Sequence, residues 1–187
     1  VIGKFIQAVM NPGDGVLYPN PGYPIYESMI EYYGGQSLAY RYVQTDTGFA
    51  IDIDHLRDQI ASASGRVTAI IYNNLQNPLG CESSPQEMQA IADIAIEHDL
   101  LVLADEAYFE MRYSGDSTSI ASLPGMQERT VILYTFSKKF AMTGWRLGAA
   151  VAPIAIAESL AKLNTNDESC TTHFVQAAGV AGITGPG

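Results

Sequence analysis

The segment FSKKFAMTGWR, residues 136–146, sets Lys138 and Lys139 side by side, with Arg146 eight positions after the first of them. The whole chain has only four lysines, so the doublet asks for a reason. A lysine at the end of a buried strand is partly desolvated and becomes a usable amine nucleophile. The other reading is a solvated basic loop. Around the doublet, Thr135, Ser137 and Arg146 offer hydroxyl and guanidinium donors of the kind that bind a phosphate. A second cluster, LLVLADEAY (100–108), puts Asp105 and Glu106 directly behind an apolar run. Such acids serve as helix caps. A carboxylate there is equally suited to face a cation in a dry pocket, with Tyr108 on the same face if the chain turns helically. A third cluster, YNNLQNPLG (72–80), ends in amides, Pro and Gly, which are ordinary turn formers. Its functional alternative is that Asn77 aims an amide N–H at a bound oxygen.

All three clusters follow apolar runs, and the elements around them explain why that matters. Runs read as strands are 15–19, 36–43, 67–74, 100–105, 130–136 and a short one near 147–152. Helical patterns lie between them at 23–35, 52–62, 84–98 and around 154–164. The third helix has the clearest start, with Ser84 and Glu87 as a capping box and Pro85 in the first turn. Strand–helix alternation predicts an α/β domain with a mainly parallel sheet. In such sheets ligands bind beyond the carboxyl ends of the strands, where the three polar clusters fall.

Composition narrows the function. A formal net charge of −10 argues against nucleic acid as a partner, because affinity for phosphate backbones comes from lysine and arginine. Cys81 and Cys170, the only cysteines, form no disulfide framework, which points to a reducing, cytoplasmic setting. The apolar runs are too short to span a bilayer, so no membrane partner is expected. His55, His98 and His173 are scattered without metal-ligand spacing and read as surface or helix-end residues.

Taken together, NPGDGVLYPNPGYPIYESMIEYYGG, NNLQNPLG, ADEAY, SIASLPGMQERT and FSKKFAMTGWRLG resemble, in order, the motifs of the fold-type I pyridoxal-phosphate aminotransferases of class I/II. The likeness runs over essentially the whole chain. It implies an α/β three-layer sandwich, with 1–187 as the cofactor-binding large domain, truncated at both ends. By this resemblance Lys138 matches the lysine that condenses with the aldehyde of pyridoxal 5'-phosphate, and Lys139 a variable neighbour. Asp105 matches the carboxylate that pairs with the pyridine nitrogen. Asn77 and Tyr108 match donors to the ring's phenolic oxygen, and Thr135, Ser137 and Arg146 the phosphate site. Tyr23 falls where an aromatic residue stacks on the ring. The catalytic set so implied is Lys138, Asp105 and Tyr108.

The implied reaction moves an amino group between an amino acid and a 2-oxo acid, in a homodimer. The segment YPNPGYPIYESMI is most similar to the aspartate, alanine or aromatic branch. The resemblance also implies that a glycine-containing phosphate cup precedes Val1 and that the substrate-carboxylate arginine follows the last residue. Little or no turnover is then expected of this piece alone. Departures from the pattern are Leu75 for a proline, Leu79 for a threonine, and Thr135 for a serine. Two other functions fit the same motifs. One is a carbon–sulfur lyase or a synthase of the same fold. The other is a non-catalytic sensing module, which usually carries a basic DNA-binding domain that this sequence lacks.

Overall fold

The computed structural model describes residues 1–185. Its centre is a run of strands whose alternate side chains enter two different cores, as the period of a pleated strand requires. In β1 (Gly15–Asn20) Val16 and Tyr18 face one core and Leu17 the other. In β4 (Val67–Asn73) the alternation is Ala69 and Ile71 against Ile70 and Tyr72. In β5 (Leu101–Asp105) it is Leu103 against Val102 and Ala104. Strands buried on both faces read as continuous apolar runs, which is how they stood out in the sequence.

One core is roofed by α3 (Ile53–Ser62) and α4 (Pro85–Glu97). The other is roofed by α1 (Ile2–Val9), α2 (Ile25–Tyr32) and α6 (Ile154–Asp167). The result is three layers, α/β/α, as expected. In α2 the buried pair Tyr26 and Ile30 is spaced i, i+4 and points at the sheet. That helix ends in a Schellman motif, with Gly35 N–H donating to Ile30 O and Gly34 N–H to Glu31 O, both at 2.9 Å. Gly34 sits at φ 79°, a left-handed turn that a side chain would strain. In α4 Ser84 accepts from Glu87 N–H at 3.1 Å, and the Glu87 carboxylate also accepts from Ile51 N–H at 2.8 Å.

The sheet has seven strands in the order β3-β2-β1-β4-β5-β6-β7, with β2 (Gln36–Thr45), β3 (Gly48–Ile51), β6 (Thr130–Thr135) and β7 (Gly148–Val151) completing it. The pairs β1–β2, β1–β4, β4–β5 and β5–β6 are parallel, and the two edge pairs are antiparallel. β3 has no counterpart in the sequence reading. Its four residues, GFAI, are too short for a period to register, and only the hairpin through Asp46 and Thr47 defines them. The same hairpin carries β2 two residues past Val43. Phe136, read as the last residue of a strand, instead opens the one-turn helix α5 (Phe136–Lys139), capped by the Thr135 hydroxyl. The last helix, α7 (His173–Thr184), packs Val175 near Phe136 and Leu147.

Chain direction across the sheet reverses between β1 and β4. From β1 the chain moves outward to β2 and β3, then returns to β4 and proceeds the other way. A crevice at that reversal is where an open α/β sheet takes its ligand.

Candidate active site

Asn73 and Asp105 are the final residues of β4 and β5, and they lie opposite each other in the parallel register. Both follow the alternation onto the face roofed by α1, α2 and α6. The Asn73 amide there does two things: Nδ2 donates to Asp105 O at 2.9 Å, and Oδ1 accepts from Asn77 N–H at 2.9 Å. The strand end and the loop carrying Asn77 are thus held by one buried side chain. Across the reversal, Gln76 does similar work. Its Nε2 donates to Pro21 O at 2.6 Å and its Oε1 accepts from Leu79 N–H at 2.8 Å. The loop bearing Asn77 is therefore tied to the loop bearing Tyr23.

The Asp105 carboxylate is almost fully buried, at 5% exposure. Tyr26 O–H donates to its Oδ2 at 2.6 Å and Ala107 N–H to its Oδ1 at 3.1 Å. Burial pushes the carboxyl above its usual range, and these two hydrogen bonds pull against it. Glu106 points elsewhere, accepting from the Ser119 hydroxyl, and burial raises it too. Tyr23 is 44% exposed and sets its ring edge-to-face on Tyr26, with centroids 5.8 Å apart.

Beyond β6 the lysine doublet divides. Lys139 Nζ lies 2.6 Å from Glu110 Oε2, an ion pair that raises its pKa. Lys138 has no such partner among the described residues, and its Nζ lies 5.0 Å from the centroid of the Tyr108 ring. Thr135 Oγ1 accepts from Ser137 N–H at 3.2 Å, and Arg146 Nη1 donates to Thr143 O at 3.0 Å. Arg146 adopts φ 56°, a conformation uncommon for a bulky residue, which turns the chain sharply before β7. Thr135, Ser137 and Arg146 line a cleft of about 670 Å³, with Val1 and Lys4 also on its wall. The Lys4 ammonium is paired with the Asp167 carboxylate.

Three groups therefore stand at neighbouring strand ends. Thr135, Ser137 and Arg146 share the cleft; Lys138 sits on Tyr108; and Asp105 is joined to Asn77 through Asn73 and to Tyr23 through Tyr26. Asp105, Asn77, Tyr23, Tyr108 and Lys138 are not part of the cleft wall. The sequence places Asn73 at the head of a candidate cluster but gives neither it nor Tyr26 a role. A signal for Tyr26 existed, since a tyrosine on the apolar face of a helix needs a partner for its hydroxyl. This donor set fits pyridoxal phosphate chemically: a buried anion for a ring cation, an amine free of ion pairing for an aldehyde, and hydroxyls with a guanidinium for a phosphate.

The three-layer α/β sheet gives the fold class, and comparison with known proteins gives the family. The chain belongs to the aminotransferase class I and II family, whose model matches residues 1–186. It is 38% identical over 178 residues to YugH of Bacillus subtilis, whose name assigns it only provisionally to the aminotransferases. That match covers 95% of this chain and 45% of the relative. It is 36% identical to an aspartate aminotransferase of Pyrococcus abyssi, covering 92% of this chain and 44% of that one. Among solved structures, the aromatic aminotransferase of Pyrococcus horikoshii superimposes with a TM-score of 0.89 at 33% identity. There the coverage is 98% of this chain and 48% of that protein. The chain spans about half the length of the relatives it matches. Among the described residues, no helix is long and apolar enough to cross a membrane.

Proposed function

We propose that this site binds pyridoxal 5'-phosphate and serves amino-group transfer between an amino acid and a 2-oxo acid. The observation that carries the reading is the division of the lysine doublet beside a buried carboxylate. Lys139 is paired with Glu110 while Lys138 has no ion pair among the described residues, one strand away from Asp105.

When bound, the cofactor supplies an aldehyde that captures amines and a cationic ring that withdraws electrons from the carbon next to the captured nitrogen. Asp105 would hold the ring nitrogen protonated through its carboxylate. Asn77 and Tyr108 would donate to the phenolic oxygen, and Tyr23 would cover one face of the ring with its exposed side. Thr135, Ser137 and Arg146 would take the phosphate, the guanidinium meeting its charge. Lys138 Nζ, as a free amine beside the substrate α-carbon, would take the proton from that carbon and return it as a general acid. The 1–187 segment is the cofactor-binding part of the enzyme in this reading.

The named relatives act on different side chains, including an arginine–pyruvate and an LL-diaminopimelate transaminase, so the amino acid stays open. The homodimer implied by the resemblance belongs to the same proposal. The test is direct. Pyridoxal phosphate is added, the adduct is reduced with borohydride, and the modified lysine is mapped by mass spectrometry. Labelling is expected at Lys138 alone and absent from Lys138→Ala. No labelling, or labelling spread over Lys4, Lys139 and Lys162, sinks the reading. Product analysis on the intact protein then separates a transaminase, which yields a new amino acid and a keto acid, from a lyase, which yields ammonia and pyruvate.

A further inference from the structure

Tyr26 lies within the first motif but has no role in the mechanism above, yet it makes the closest contact to the central carboxylate. It lies on the sheet-facing side of α2, 1% exposed, and its hydroxyl donates to Asp105 Oδ2 at 2.6 Å. A hydroxyl bond to a charged acceptor in a buried setting is among the stronger hydrogen bonds a protein makes. The helix gives it little freedom to leave. Tyr26 N–H is bonded to Tyr23 O at 3.0 Å, and the Tyr23 ring abuts its own.

We propose that Tyr26 is a positioning residue that keeps Asp105 ionised and aimed, acting through that carboxylate on the cation it pairs with. The proposal rests on the reading of Asp105 as the partner of the ring nitrogen. Asp105 has two fixed donors, one to each oxygen: the Ala107 N–H and the Tyr26 hydroxyl. The backbone donor belongs to the loop that follows β5 and is kept by almost any sequence. The tyrosine donor depends on one side chain, so it is the adjustable half of the pair. Other groups bearing on this carboxylate are few. Glu106, its neighbour in the chain, is an acid whose own carboxyl is raised in part by the Asp105 charge. Around the phenol stand Tyr23 and Tyr40. Without the Tyr26 hydroxyl, burial acts on Asp105 with one opposing bond instead of two. The carboxyl then binds its proton more tightly, and the ring opposite it carries less positive charge.

Two readouts test this, and only one needs the cofactor. In the cofactor-free protein, carboxyl-carbon NMR follows the titration of Asp105. Tyr26→Phe, which keeps the ring and its packing, is expected to move that midpoint upward. Placing 3-fluorotyrosine at position 26, a stronger donor of nearly the same shape, is expected to move it downward. Tyr42→Phe serves as control: its ring packs on the core roofed by α3 and α4, across the sheet from Asp105, so it leaves the Asp105 midpoint alone. In the intact protein loaded with pyridoxal phosphate, Tyr26→Phe is expected to lower kcat roughly 10-fold with a smaller change in KM. The pH midpoint of the cofactor's absorbance change is expected to rise, because a less positive ring lets protons elsewhere on the bound group be held more easily. An unmoved Asp105 midpoint in both position-26 variants overturns the proposal. So does a kcat loss with no absorbance shift. If Asp105 responds to Tyr26 but borohydride labels no lysine, the cofactor reading has failed while the Tyr26–Asp105 coupling stands.

Discussion

Asn73→Ala tests the buried junction that joins the two strand ends. Asn73 is 3% exposed and uses both ends of its amide in bonds of 2.9 Å, one to Asp105 O and one from Asn77 N–H. Losing the first leaves a buried carbonyl without that donor, which costs about 1–3 kcal/mol. The second is cheaper, because Asn77 is only half-buried and water can replace the acceptor, so about 0.5–1.5 kcal/mol is expected there. The sum is about 1.5–4.5 kcal/mol, or roughly 3–18 °C in melting temperature for a chain of this size. The neighbouring Asn74 accepts a single bond, from Ser83 N–H at 3.0 Å, and Asn74→Ala should cost only about 1 kcal/mol. Urea titration of both variants measures the difference. Asn73→Asp refines the test. It keeps the acceptor for Asn77, loses the donor to Asp105 O, and sets a second carboxylate beside Asp105. It should therefore bind pyridoxal phosphate more weakly than wild type. Equal stabilities for Asn73→Ala and Asn74→Ala would refute the junction argument, since both asparagines are buried and differ mainly in the bonds they make.

Asp105→Asn separates stability from function. Burial raises the Asp105 carboxyl above its ordinary value of 3.8, so its favourable contribution is complete below that pH and is lost as pH rises through the folded value. At pH 7 the neutral amide should make the cofactor-free chain more stable, with the advantage gone below about pH 4, while cofactor retention falls; calorimetry across pH measures the first. Lys139→Ala breaks an exposed ion pair with Glu110 and should leave both the melting temperature and the Lys138 labelling unchanged. Gln76→Ala removes the tie between Pro21 O and Leu79 N–H, and should cost about 1–3 kcal/mol and weaken cofactor binding, read by urea titration and equilibrium dialysis. Gly179→Ala would put a methyl 2.5 Å from Leu147 Cδ2, an overpacking of about 1–3 kcal/mol visible as a lower melting temperature.

The sequence by itself determined the layers and, to within a residue or two, where most strands end. Continuous apolar runs such as TAIIY and LVLA can be buried only between two helical layers, so the α/β class was legible from them. Polar residues that interrupt such runs mark the ends at which a ligand can approach, and that brought Asn77, Asp105, Lys138 and Arg146 into view. The five motifs in order carried the family. Tertiary structure alone decided the rest. β3 forms because a hairpin lets four residues pair with β2, and no local pattern announces it. Which lysine of the doublet is neutralised depends on where the loop after β5 places Glu110, 29 positions before Lys139 in the chain. The contact of Tyr26 with Asp105 spans 79 positions. It exists because parallel pairing sets β5 two strands from β1 and so brings α2 over its end. Periodicity reports which face of an element is buried, but the partner across that face is set by the order of the strands.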